Sequence, residues 1–143
     1  MQIIIGSDHG GYKLKEEIVK HLTSKGVDVF NAGTFSTESC DYPIIAKDVA
    51  KKVLATGNAK GILVCGTGIG ICIAANKVKG IRASHCTDTY SARMTVQHNN
   101  SNILCLGERI TGVGLALDIV DAWLEAKFEG GRHQKRIDLI EEI

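Results

Sequence analysis

The sequence predicts a single α/β domain over residues 1–143, a Rossmann-like three-layer sandwich. One parallel sheet of five strands is expected to carry helices on both faces. Short apolar runs alternate along the chain with longer segments in which apolar residues recur every three or four positions. This strand–helix alternation is typical of parallel sheets. The length of 143 residues suits one domain, and the 44% of hydrophobic residues suffices for its core.

Each element follows from its local pattern. The predicted strands, in chain order, are Ile3–Ile5, Val27–Phe30, Ile62–Cys65, Ile81–Cys86 and Ile103–Leu106. The predicted helices run from Gly11 to Lys25, from Asp41 to Gly57, from the glycine-rich loop to Asn76, from Thr87 or Asp88 to His98, from Thr111 to Lys127, and over about residues 131–143. Capping and breaking residues set these limits, as when Pro43 occupies a first turn and Gly130-Gly131 separates two helices.

The last two helices are predicted to be amphipathic. Leu115, Ile119 and Trp123 recur every four residues in the first of them, and Ile137 and Ile140 lie in the second. The final helix is expected to pack on the body of the domain or on a partner subunit.

Composition excludes several classes of protein. The net charge of +1 gives no electrostatic basis for binding nucleic acid or an anionic membrane, so phosphate affinity must come from a few placed residues. The longest uncharged stretch, 61–76, is shorter than the roughly 20 residues of a membrane span. Five cysteines without a C-x-x-C pair, and no signal-peptide pattern, favour the reducing cytoplasm.

Polar and glycine residues concentrate where the predicted strands end. The segments are Ser7–Gly11, Cys65–Gly70, Thr87-Asp88 and Gly107–Arg109. Ligands of open parallel sheets bind beyond the carboxyl ends of the strands. This edge is therefore the predicted active edge.

The glycine loop is the strongest local signal. Gly66, Gly68 and Gly70 alternate between a strand and a helix, which exposes backbone N–H groups as a cradle for a phosphate or a reacting oxyanion. The alternative is a tight turn whose glycines only permit close packing. Position 71 is isoleucine, not the glycine of a dinucleotide fingerprint, and no Walker lysine follows. A small nucleotide-binding module stays open, because Asp88 occupies the place of a ribose-binding acid.

Cys65 stands directly before this loop. A thiolate at a strand end that faces a helix N-terminus is stabilised, which suits a base or a nucleophile. The alternative is a buried core cysteine. That alternative is favoured for Cys72, Cys86 and Cys105, which lie within predicted elements.

Other polar residues are candidates for binding and proton transfer. Asp8 and His9 can bind hydroxyls, or phosphate if His9 is protonated, although Asp8 can also be a helix cap. His98, followed by Asn99, ends a helix and can move protons near neutral pH, but it is a lone histidine.

Two arginines suggest an anion site. Arg132 and Arg136 share one face in the first turns of the last helix, where the helix dipole disfavours cations. An anion between them would explain this placement, whereas Lys135 beside them fits a solvated basic face. Arg109, just past the fifth strand, is a further candidate.

Metal and hydrolase sites receive no support from spacing. The histidines show no H-x-x-x-H pattern, so no metal site is predicted. No Gly-x-Ser-x-Gly elbow is present.

Several motifs in the same order resemble the type B ribose-5-phosphate isomerase family, whose relatives include galactose-6-phosphate and allose-6-phosphate isomerases. They are Ile5–Gly11, Asp41-Tyr42-Pro43, Cys65–Gly70, Ala74–Lys77, His98–Asn102, Gly107–Arg109, Arg132-His133 and Arg136-Ile137. The resemblance implies interconversion of ribose 5-phosphate and ribulose 5-phosphate through an enediolate, without metal or coenzyme. The two hexose-phosphate activities stay as alternatives.

The resemblance also implies roles for residues. Cys65 is the base, and Thr67 and His98 handle hydroxyl protons, including those of ring opening. The backbone of Gly66, Gly68, Ile69 and Gly70 stabilises the enediolate. The sugar is bound by Asp8, His9 and Asn99. The phosphate is bound by Arg109, Arg132 and Arg136.

Two further features come with the resemblance. Some members use a glutamate a few residues beyond the cysteine as base, but here 69–72 reads Ile-Gly-Ile-Cys, which leaves Cys65. The family works as a homodimer with shared active sites, so His98, Asn99 and Arg109 are expected to reach the partner's loop; a tetramer stays open.

Overall fold

A five-stranded parallel sheet in the order β2-β1-β3-β5-β4 lies at the centre of the computed structural model, which describes residues 1–143. The strands are β1 Gln2–Ser7, β2 Asp28–Asn31, β3 Ala59–Cys65, β4 Ala83–His85 and β5 Ile103–Gly107. The helices are α1 Tyr12–Ser24, α2 Tyr42–Ala55, α3 Ile69–Asn76, α4 Thr89–Asn99, α5 Val113–Glu125 and α6 Arg132–Glu141. The predicted α/β fold with one parallel sheet is confirmed.

In the sheet, β5 lies next to β3, and β4 lies outside it, although β4 comes first in the chain. β5 lies between β3 and β4, so β4 is an edge strand that pairs only with β5, from Ala83 against Ile103 to His85 against Cys105. β4 is shorter than the predicted strand 81–86, because only Ala83–His85 pair with β5. Because β5 is central, the carboxyl ends of β1, β3 and β5 lie side by side.

Helices cover both faces of the sheet and form two cores. The helices α1, α4 and α5 pack on one face, and α2 and α3 pack on the other. β1 shows the division, since Ile3 and Ile5 enter the first core and Ile4 enters the second. Trp123 of α5 is fully buried in the first core.

The α5 prediction is corrected in two respects. The helix begins at Val113 and not at Thr111, because the Thr111 N–H donates to the Gly107 carbonyl at 3.0 Å and belongs to the turn after β5. Leu115 is exposed, and the core face is formed by Ala116, Ile119, Val120 and Trp123. In α6, Ile137 is buried whereas Ile140 is exposed.

The helix α6 packs against the end of α4 and the amino end of β4. The His133 ring stacks on the His98 ring, and Arg82 Nη1 contacts Glu141 Oε1 at 2.7 Å. No helix of this protein combines the length and apolar character needed to cross a membrane.

Candidate active site

The loop between β3 and α3 is packed tightly into the carboxyl edge of the sheet. Gly68 has a φ of +79°, and a Cβ there would lie 2.7 Å from His85 Cδ2 and 2.8 Å from the Leu106 carbonyl carbon. Only glycine fits this conformation and this space. The tight-turn interpretation is therefore correct for Gly68, and it is compatible with a cradle on the open side of the loop.

The Cys65 sulfur lies inside the turn of this loop. Its side chain is buried, and Sγ accepts the Gly68 N–H at 3.1 Å. Thr67 Oγ1 accepts the Ile69 N–H at 3.2 Å. Two N–H groups predicted to face a substrate oxygen are thus directed at side chains of the loop itself.

The segment after β1 forms one wall of the site. A Cβ at Gly10 would lie 3.2 Å from the Gly66 nitrogen, so the two loops touch. Asp8 Oδ1 accepts the N–H groups of Gly10 and Gly11 at 2.9 and 3.2 Å, which makes Asp8 the cap that the sequence left as an alternative. Its other oxygen, Oδ2, makes no hydrogen bond within the chain.

His9 has one ring nitrogen committed to the backbone. Its Nδ1 accepts the Cys40 N–H at 3.1 Å, so the proton of the neutral ring is on Nε2. The neutral ring can therefore donate an N–H to a ligand through Nε2.

The segment after β5 forms the opposite wall. The Glu108 and Arg109 N–H groups donate to the carbonyls of Cys65 and Gly66, both at 3.0 Å. The Arg109 guanidinium lies on Gly66, with Nη1 3.3 Å from the position of a Cβ there. Arg109 therefore lies on the loop of its own chain.

Three residues that sequence reasoning missed support the site. Tyr42 packs against Gly70, where a Cβ would lie 2.8 Å from Tyr42 Cζ. Glu108 Oε1 accepts the Leu14 N–H at 2.7 Å and ties the β5 wall to α1. His85 lies beneath Gly68. The Asp41-Tyr42-Pro43 motif was the available signal for Tyr42; the contacts of Glu108 and His85 depend on chain crossings that no local pattern reveals.

Asp88, the candidate ribose-binding acid, is a helix cap. Oδ1 accepts the Ser91 N–H at 2.6 Å and Oδ2 accepts the Ser91 hydroxyl at 2.9 Å. These hydrogen bonds lower the pKa of the Asp88 carboxyl. With both oxygens engaged, the nucleotide-binding interpretation loses the residue on which it rested.

The other predicted site residues lie at the opposite edge of the sheet. α4 starts beyond the carboxyl end of β4 and runs back, so His98 and Asn99 come near the amino ends of the strands. There the Asn102 carbonyl accepts the Gly61 N–H of β3 at 2.8 Å. Arg132 and Arg136 follow on α6, which packs beside α4. One chain does not bring this second group to Cys65.

Two histidines of the second group form a cluster with a glutamate. The rings of His98 and His133 stack with centroids 4.3 Å apart and an interplanar angle of 14°. Glu129 Oε1 lies 3.8 Å from Nε2 of each ring. Desolvation, followed by the positive charge of Arg132, lowers the pKa of His133.

The fold and the polar carboxyl edge define the class, an α/β protein with a small-molecule site beyond the ends of its central parallel strands. Within this class, the chain belongs to the Ribose/Galactose Isomerase family, whose profile matches residues 3–140. The resemblance stated from the motifs is confirmed.

Relatives match over nearly the whole chain. Ribose-5-phosphate isomerase B of Escherichia coli is 52% identical over 142 residues, which cover 99% of this chain and 95% of the relative. The structure of ribose-5-phosphate isomerase B from Clostridium thermocellum is 56% identical with a TM-score of 0.98, over 99% of this chain and 96% of that one. The structure of ribose-5-phosphate isomerase B from Mycoplasma genitalium with bound ribulose-5-phosphate is 44% identical with a TM-score of 0.93. The match covers 99% of this chain and 94% of that one.

Proposed function

We propose that this protein interconverts D-ribose 5-phosphate and D-ribulose 5-phosphate with Cys65 as the base. The observation that carries the proposal is the Cys65 sulfur held in the glycine loop by the Gly68 N–H at 3.1 Å. The substrate is supported by relatives that are named ribose-5-phosphate isomerase B and match nearly all of this chain. Such an isomerase belongs to the non-oxidative pentose phosphate pathway.

The reaction is a proton transfer between neighbouring carbons. The Cys65 thiolate takes the proton from C2 of the open-chain aldose, and the electron pair moves onto the C1 carbonyl to give an enediolate. The thiol returns the proton to C1, and the proton of the C2 hydroxyl passes to the C1 oxygen, so that C2 becomes the carbonyl and C1 carries the hydroxyl. Thr67 and His98 move the hydroxyl protons and open the furanose ring. A positioned base contributes about 10²–10⁴-fold in rate.

Backbone donors stabilise the enediolate. The N–H groups of Gly66 and Gly70 lie at the start of α3, where the helix dipole favours negative charge, and those of Gly68 and Ile69 join them when they leave Cys65 Sγ and Thr67 Oγ1. As Cys65 takes up the proton, its sulfur becomes neutral and needs the Gly68 N–H less. That donor is then available for the oxygen that gains the charge.

The remaining candidates bind the substrate. Asp8 Oδ2 offers an acceptor and His9 Nε2–H a donor for sugar hydroxyls, and Asn99 adds an amide. Arg109, Arg132 and Arg136 hold the phosphate. The arginines thus bind the phosphate at one place, and the glycine loop binds the oxygens of the reacting carbons at another.

The site is completed by a second subunit in a homodimer, or in a tetramer built from such dimers. Cys65 and Arg109 lie at one edge of the sheet, whereas His98 and Asn99 lie at the other. Apolar side chains on α2 and α3 are exposed beside the loop, and a partner would cover them: Tyr42, Ile44, Ile69 and Ile73. The thiol must stay reduced, which the cytoplasm provides.

The test is turnover of three sugar phosphates. We expect kcat/KM for ribose 5-phosphate to exceed those for allose 6-phosphate and galactose 6-phosphate. A preference for either hexose phosphate would reassign the substrate within the family. Saturable nucleotide binding with no turnover of any of the three would overturn the enzyme proposal.

The role of Cys65 is tested by Cys65→Ala. We expect isomerisation to fall by at least about 10²-fold, the lower limit for a general base, while binding of ribose 5-phosphate persists. Cys72→Ala is the matched control, because Cys72 is a buried thiol of α3 outside the loop and should leave turnover unchanged. Full activity of Cys65→Ala would refute a cysteine base.

A further inference from the structure

We infer that His98, Glu129 and His133 form a binding site for a divalent transition-metal ion such as Zn²⁺, and that the bound ion inhibits isomerisation. The metal site stands on geometry alone. Its inhibitory effect rests on the proposed function, because His98 is assigned there to proton transfer.

The three ligand atoms converge on one small space. Glu129 Oε1 lies 3.8 Å from His98 Nε2 and 3.8 Å from His133 Nε2, and the three atoms lie within 4.8 Å of one another. They come from the end of α4, the segment between α5 and α6, and the start of α6. Packing of α6 on α4 creates the group, which explains why spacing along the chain did not indicate it.

His133 has an unpartnered buried nitrogen at this place. Its side chain is only 6% exposed, and Nε2 makes no hydrogen bond in the structure. A buried polar atom without a partner costs about 1–3 kcal/mol, so such atoms are normally paired. Coordination of a cation would use the lone pair of this nitrogen. His98 and Glu129 are 39% and 47% exposed in the single chain, and in the proposed dimer an ion would reach them by the route that admits the substrate.

The donor set matches the preference of zinc. Two imidazole nitrogens and one carboxylate oxygen are the ligands of a three-residue zinc site, with a fourth position left for water. Ligand atoms on a tetrahedral zinc are roughly 3.4 Å apart, as follows from bonds of about 2.1 Å. The 3.8 Å distances from Glu129 to the two histidines would therefore shorten by about 0.4 Å, and the two histidine nitrogens, which lie within 4.8 Å of each other, would approach by up to about 1.4 Å. The stacked rings must also tilt, since their planes are nearly parallel.

Neighbouring charge limits how tightly the ion is held. Arg132 and Arg136 act on His133 as positive charges, and Glu129 is the negative charge that opposes them. We therefore expect a site that exchanges its ion and not a permanent structural zinc. An ion at His98 Nε2 removes that nitrogen from proton transfer, so occupancy and activity should vary inversely.

The metal site is tested by direct binding. Chelator-treated full-length protein is titrated with Co²⁺, whose visible absorption reports ligation, and Zn²⁺ is then used to displace it. We expect Glu129→Gln and His133→Gln each to weaken Co²⁺ binding by at least about 100-fold, the upper end of what loss of an outer-shell partner costs. His21→Gln is the matched control, because His21 pairs with a different carboxylate, Asp121, at 2.8 Å.

The rival ligand is the Cys65 thiolate, which Cys65→Ser removes. Unchanged Co²⁺ affinity in Cys65→Ser, with no thiolate charge-transfer band in the wild type, supports the histidine site. The histidine site is refuted if Cys65→Ser loses Co²⁺ binding. It is also refuted if Glu129→Gln and His133→Gln both keep the wild-type affinity for Co²⁺. His133→Gln changes a buried residue and could impair folding, whereas Glu129→Gln changes an exposed one. Thermal unfolding of both variants shows whether each is folded.

The inhibitory effect is measured separately from binding. We expect Zn²⁺ to inhibit ribose 5-phosphate isomerisation, a chelator to restore the rate, and Glu129→Gln to need at least about 100-fold more Zn²⁺. If Co²⁺ and Zn²⁺ bind as expected and the rate is unaffected, the inhibitory part is wrong and so is the role of His98, while the metal site stands. Absence of any turnover without metal would instead refute the proposed function.

Discussion

The glycine loop packs closely on the sheet at Gly68. Its φ of +79° lets the Gly68 N–H turn back to the Cys65 sulfur. A Cβ there would meet His85, Leu106 and Gly107 at 2.7–3.0 Å. The hydrogen bond to the Cys65 sulfur and the packing of the loop therefore depend on the same residue.

Gly68→Ala tests this dependence. A left-handed conformation costs a non-glycine residue about 1–2 kcal/mol, and an overpacked site costs about 1–3 kcal/mol more. We expect the free energy of unfolding, measured in urea, to fall by about 2–5 kcal/mol and isomerase activity to be lost. Gly114→Ala is the control, since a Cβ there meets nothing within 4 Å and should change stability by no more than about 1 kcal/mol. Equal behaviour of the two variants would contradict the close packing.

At the residue scale, chemical type could be predicted but hydrogen-bond partners could not. Cys65 and its glycines stand at a strand–helix junction, which is visible in the sequence. The commitment of Asp8 Oδ1 to a cap, and of His9 Nδ1 to the Cys40 N–H, arises from backbone geometry. The contact of Tyr42 with Gly70 joins residues of two different helices, so periodicity within either helix does not reveal it.

The helix α4 has its cap at one end and two of the proposed site residues at the other. Asp88 caps the amino end of the helix, and His98 and Asn99 lie at the other end. Arg82 holds that end by donating to the carbonyls of Asn99 and Asn100, both at 3.0 Å. Loosening the cap should therefore fray the helix first at Thr89 and leave the pinned end in place.

Asp88→Asn tests the charge of this cap, because asparagine caps helices as well as aspartate. Hydrogen bonds from Ser91 lower the pKa of the Asp88 carboxyl in the folded protein. A depressed pKa contributes stability above the unfolded pKa of about 3.9, and that stability is lost as pH falls through the lower folded pKa. We expect the wild type to have a higher urea midpoint than the variant at pH near 7 and the difference to vanish in acid. A difference in urea midpoint that grows as the pH falls would contradict a lowered pKa of Asp88. Asp88→Ala should lose stability at both pH values.

At the element scale, the helices were predicted more closely than the strand order. The predicted start of α4 at Thr87 or Asp88 and its predicted end at His98 are close to the observed helix Thr89–Asn99, and Gly130-Gly131 separates α5 from α6 as predicted. β4 is shorter than the predicted strand 81–86 because only Ala83–His85 pair with β5, and this pairing depends on residues far apart in the chain. α5 starts late because the Thr111 N–H closes the preceding turn.

Across the whole molecule, the proposed site residues divide between the two edges of the sheet. This division follows from parallel connectivity, since each helix returns from the carboxyl edge to the amino edge. Sequence motifs report which residues belong to a site but not which chain supplies them. Cys65 and Arg109 belong together in one chain, because the Arg109 guanidinium lies on Gly66. The proposed role of His98 at this site therefore requires a second subunit.

Mixing two inactive variants tests this arrangement. Cys65→Ala and His98→Ala are co-refolded in equal amounts, so that about half of the dimers contain one of each. Each mixed dimer has one site with an intact Cys65 from one chain and an intact His98 from the other, which predicts recovery of about a quarter of wild-type activity. The control is Cys65→Ala mixed with Arg109→Ala. Both residues lie in the same chain's half of the site, so every site in that mixture keeps a defect and no recovery is expected. Recovery only in the control would place Arg109 on the partner's loop, and recovery in neither would mean that His98 and Cys65 do not act across subunits.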